Sequence, residues 1–66
     1  MPRWKSGGYV IVQYATDHSP LHVHVYLDGT LLAKVEVPLG DFLYINSQYE
    51  NHRGRVIPAL QAVGLI

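Results

Sequence analysis

Seven consecutive residues, Leu21-His22-Val23-His24-Val25-Tyr26-Leu27, alternate with a period of two. Aliphatic side chains take the odd positions, and His, His and Tyr take the even ones. Only an extended strand sends successive side chains to opposite sides, so this segment belongs in a sheet with one apolar face and one polar face. Asp28-Gly29 follows as a turn signal. Thr30 to Val37 reads as the returning strand, closed by Pro38 and Gly40.

The turn between these strands decides which residues share a face. A two-residue Asp28-Gly29 loop sets Val25 opposite Leu32 and Val23 opposite Lys34, which puts a lysine on the aliphatic face. A three-residue loop, Leu27-Asp28-Gly29, pairs Val25 with Leu31, Val23 with Ala33 and Leu21 with Val35. All of these are apolar, and Gly29 then sits where the loop needs a positive φ. A slip of one residue exchanges the faces, so burial favours the second register. The predicted buried set is Val23, Val25, Leu31 and Ala33. The opposite face then carries His22, His24 and Tyr26 beside Leu32, Lys34 and Glu36.

The rest of the chain fits around this hairpin. Residues 1–8 read as a flexible lead-in ending in the breaker Ser6-Gly7-Gly8, and Tyr9 to Tyr14 as a first strand. Ala15 to Pro20 is a polar loop. Phe42-Leu43-Tyr44-Ile45 is a fourth strand or a buried crossover. Ser47-Gln48-Tyr49-Glu50 matches a capping box, which predicts a short helical turn over 47–53. Pro58 would clash in the interior of a longer helix, so the C-terminal helix is placed near 55–63 with Pro58 in its first turn. Val56, Leu60 and Val63 form its inward stripe, Gly64 its C′ residue and Leu65 the apolar contact after it. The expected fold is a single α+β domain over 1–66. A three- or four-stranded antiparallel sheet carries the C-terminal helix on one face, in two layers.

Sixty-six residues leave room for one small core and no more. There are no cysteines, so neither a disulfide staple nor a thiolate zinc site supports the fold. A chain of this size has little core to spare, which points to a homodimer or a small protein partner. Hydrophobic content of 48% with 15% charged residues excludes a disordered chain. Five basic residues balance five acidic ones, which disfavours a strongly basic nucleic-acid binder. No apolar run approaches the ~20 residues of a bilayer span, and none follows the charged start as a secretory signal would require. No membrane association is expected, and the cytoplasm is the default location.

Three histidines fall within seven positions: His18, His22 and His24. His22 and His24 leave the same face of one strand, with Cα atoms about 6.6 Å apart. Such a pair can serve as a catalytic acid–base pair, hold a phosphate when protonated, or grip a divalent metal. A metal needs further ligands, and Asp17, His18 and Glu36 are the nearest, without diagnostic spacing. The plainer reading is two histidines on a half-solvated sheet face. Arg53 and Arg55, with His52, form a basic patch near the last helix, a candidate contact for an anion or nucleic acid, RNA included. Their plainer reading is solvated surface. No phosphate loop, nucleophile triad or paired-carboxylate motif stands out, and no cofactor is implied.

Asp17-His18-Ser19-Pro20-Leu21-His22-Val23-His24-Val25, followed by an Asp-Gly turn, resembles the signature of a bacterial family, domain-of-unknown-function family 4160. Its members carry a D-x-x-P-P-H-V-H-V-like segment after a first strand. The ending Ala59-Leu60-Gln61-Ala62-Val63-Gly64-Leu65-Ile66 is similar to the family's A-L-x-x-x-G-L-I. Leu21 stands where the family pattern has a second proline. The positions that match the motif are Asp17, Pro20, His22 and His24. The resemblance implies no reaction. It implies a setting, a toxin–antitoxin-like pair of small proteins. The expected function is therefore a protein-interaction module in such a pair. The alternatives are a small RNA-acting toxin enzyme using His22 and His24, and a divalent-metal-binding domain.

Overall fold

The computed structural model describes residues 2–13, 21–52 and 54–66. Five antiparallel strands follow one another across a single sheet in chain order: β1 Arg3–Ser6, β2 Tyr9–Val12, β3 His22–Leu27, β4 Thr30–Glu36 and β5 Phe42–Ile45. A 3-10 turn, Tyr49–His52, and one helix, α1 Val56–Ala62, complete the chain. The two-layer α+β arrangement is as the sequence predicts, with one strand more.

The extra strand is β1, within the expected lead-in: Arg3 pairs with Val12, Trp4 with Ile11, Lys5 with Val10 and Ser6 with Tyr9 across a two-residue Gly7-Gly8 turn. Pairing puts Trp4 and Ser6 on the apolar face and Arg3 and Lys5 on the other. Trp4 packs against the core, and the Ser6 hydroxyl donates to the Ala59 carbonyl at 2.9 Å.

The β3–β4 hairpin corrects the expected register. Asp28 and Gly29 both have positive φ, 51° and 80°, and Leu27 pairs with Thr30. The loop is therefore the two-residue form whose twist suits a hairpin and which favours Asp-Gly. Left alone, it would bring Lys34 onto the aliphatic face. A bulge intervenes: Tyr26 pairs with Leu31 but Val25 pairs with Ala33, so Leu32 is the extra residue on β4. Beyond it Val23 meets Val35, His24 meets Lys34 and His22 meets Glu36. Leu32 and Ala33 are consecutive, yet only 1% and 0% exposed, as the two residues of a bulge can be. Leu32 thus takes the buried place predicted for Leu31, which lies half-buried beside Tyr26 on the opposite face.

The core lies between the sheet and the C-terminal segment. Tyr9, Ile11, Val23, Val25, Leu32, Ala33 and Val35 face Tyr49, Val56, Ala59 and Leu60. Val56 and Leu60 are buried as the stripe predicts, and Val63 packs at the margin. The helix ends in a Schellman arrangement. The Leu65 N–H donates to the Leu60 carbonyl and the Gly64 N–H to that of Gln61, both at 3.1 Å. Before the 3-10 turn, Asn46 anchors the chain. Its amide donates to the Leu31 carbonyl, and its Oδ1 accepts from the Gln48 N–H, both at 2.9 Å.

Candidate functional site

The face of the sheet opposite the core carries His22 and His24, the pair on which the sequence reading placed acid–base, phosphate or metal chemistry. Strand β3 sends His22, His24 and Tyr26 to it because their neighbours Val23 and Val25 are taken by the core. The rings run along the strand: His22 and His24 have centroids 5.2 Å apart, and His24 and Tyr26 lie 6.3 Å apart, nearly parallel at 15°. The cross-strand partners complete the row. Glu36 is opposite His22, Lys34 opposite His24, and Tyr44 of β5 opposite Lys34. The Lys34 ammonium lies 6.0 Å from the centre of the Tyr44 ring, within cation–π range.

From the other side the row reaches β1. Val12 is opposite His24 and Arg3 opposite Val12, while Val10 is opposite Tyr26 and Lys5 opposite Val10. One line of residues, Arg3–Val12–His24–Lys34–Tyr44, therefore crosses all five strands. At the usual strand spacing it spans about 19 Å. The reading from sequence missed Arg3 and Lys5 as members. A signal for them existed in the alternating Arg3-Trp4-Lys5-Ser6 joined by Gly7-Gly8 to a β-branched strand, a hairpin pattern.

His22 and His24 are neighbours on this face, both half-buried. Among the described residues, no group of three or more His, Cys, Asp or Glu converges as a metal would require. Asp17, His18, Pro20 and Arg53 lie outside the described residues. Arg55 is exposed and away from the histidines. It occupies the N-cap of α1 without a side-chain capping bond and borders a groove with Ser6, Gly7, Gly54 and Pro58. His52 adjoins it, its carbonyl accepting from the Arg55 N–H at 3.0 Å; its Nδ1 is 3.0 Å from the Tyr9 hydroxyl, and the two rings meet edge to face. The basic patch expected around Arg55 thus stands apart from the histidine pair.

A second surface is apolar. All four residues of β5 are exposed, Phe42 at 37% and Leu43, Tyr44 and Ile45 at 44–46%. A bulge at Leu43 separates the pairs Tyr44–Lys34 and Phe42–Val35. Among the described residues, no strand pairs with the outer side of β5. No helix among them is long and apolar enough to cross a membrane.

No family model matches the chain, and no curated protein or solved structure matches it.

Proposed function

We propose that this chain is a protein-interaction module that works through the outer edge of β5, with a second copy of itself as the occupant. The observation that supports the reading is the edge itself: Phe42, Leu43, Tyr44 and Ile45 are all exposed and none is charged. An edge strand presents a row of backbone donors and acceptors that template another strand, and natural edges are commonly guarded by lysine or proline within the strand. The β5 strand contains neither. An antiparallel strand is also self-complementary about a two-fold axis, the commonest symmetry of soluble oligomers. Edge pairing would join two five-stranded sheets and cover apolar side chains that a domain this small cannot cover alone. The toxin–antitoxin-like setting implied by the motif resemblance requires the same capacity, with a small partner protein in place of the second copy.

Sedimentation at micromolar concentration tests the reading. The wild-type chain should sediment at twice its 7.4 kDa, and Leu43→Lys should sediment as a monomer with its circular dichroism retained. A wild-type monomer at about 100 µM, in the range where even weak specific association shows, would overturn it. So would a dimer that Leu43→Lys leaves intact.

A further inference from the structure

The chain as a whole is neutral, but its charge is not evenly distributed. The face opposite the core carries three cations, Arg3, Lys5 and Lys34, against one carboxylate, Glu36. The other described residues carry Arg55 against Asp28, Asp41 and Glu50, the opposite excess. The sheet therefore separates charge that composition averages away. Interleaved with the cations are Tyr26, Tyr44, His22 and His24, whose rings line the same surface. Among the described residues, both helical segments lie on the core side, and pairing at the β5 edge does not cover this face.

We infer that this face is a binding platform for single-stranded nucleic acid. Cations spread over about 19 Å suit a polyphosphate rather than a single anion. Aromatic rings among them suit bases, since every base offers a π-face to stack. Among the described residues the surface is a broad sheet with no protruding helix, so it suits unstacked bases and not the groove of a duplex. The aromatic rows distinguish it from a site for an acidic polypeptide, which has charge but no flat rings to stack. Arg3 and Lys34 flank the histidine row, placing phosphates at its two sides and bases over Tyr26 and Tyr44.

Fluorescence anisotropy with labelled oligouridylate and oligothymidylate of about twelve nucleotides tests the inference on the full chain. Both probes should bind at low salt, the tighter one naming RNA or DNA as the source. Replacing all three cations (Arg3→Gln, Lys5→Gln, Lys34→Gln) should weaken binding at least tenfold. It should also lower the slope of log affinity against log salt by about 2. Tyr44→Ala should cost about tenfold while leaving that slope in place. Should the triple variant lose its circular dichroism, Arg3→Gln and Lys5→Gln singly alter exposed side chains and carry the same test. Absence of binding, a triple variant that binds like wild type, an equal loss in Arg55→Gln, or polyglutamate binding as tightly as the oligonucleotides would each overturn the inference. The monomeric Leu43→Lys variant should retain a measurable affinity for the probes, which keeps this result separate from that of edge pairing.

Discussion

The two edges of the sheet are built on opposite terms. At β1, the outward residues Arg3 and Lys5 are charged, and the inward ones are engaged: Trp4 packs against the core and Ser6 is bonded to the helix. At β5, every position is exposed and apolar or aromatic. The difference lies in what each edge finds on its inward side. The helix reaches β1 and gives it something to bury, so the strand is held by the fold and guarded by charge. At β5, Phe42 meets the Tyr49 ring at 5.0 Å, yet all four residues stay exposed. A strand that buries so little within its own chain has its apolar surface left over for another.

The largest expected effect that follows is on stability. Trp4→Ala should lower the unfolding free energy by about 2 kcal/mol in urea denaturation, because it removes packing from the half-buried indole. Ile45→Ala at the other edge should cost about 0.5 kcal/mol at most, measured on the monomeric Leu43→Lys background. Equal losses at the two sites would erase the contrast. Next comes Ser6→Ala, which strips the donor that ties β1 to the helix and should cost about 1 kcal/mol; a loss below a few tenths would mean that the tie does not hold the edge. The smallest effect concerns the guard itself. Lys5→Val should change unfolding by no more than about 0.5 kcal/mol, yet open a second associating edge, seen as species larger than a dimer in sedimentation. Unchanged sedimentation would show that the helix, not the charge, protects β1.

How much of this could be read from sequence depended on how local each cause was. The faces of β3 were legible because a period of two is written in one strand, so His22 and His24 were correctly placed together. The stripe of α1 and its Gly64 ending were legible for the same reason. The β3–β4 register was not, because two demands conflict there. Local turn chemistry wants the two-residue Asp28-Gly29 loop, the buried face wants Lys34 kept out, and the bulge at Leu32 reconciles them. The two candidate loops both assumed an unbroken ladder. The β1 strand was missed because nothing in Arg3-Trp4-Lys5-Ser6 alone is strand-like enough; its state comes from pairing with β2. That omission also hid Arg3 and Lys5 from the candidate site, and the charge separation with them.

The order of the strands has a kinetic consequence. Each strand pairs only with its neighbours in the chain, so most of the sheet can assemble from nearby segments at low loop-closure cost. Two hydrogen bonds among the described residues tie distant segments at one corner, Ser6 with Ala59 and Tyr9 with His52, 53 and 43 residues apart. The folding nucleus is accordingly expected in the β3–β4 hairpin, with closure of the helix over β1 coming late. In a kinetic analysis, Gly29→Val, which strains the left-handed turn by on the order of 1–2 kcal/mol, should mainly slow folding. Ser6→Ala should instead mainly speed unfolding. The reverse pattern would place the nucleus at the helix, and the sheet would then be the follower.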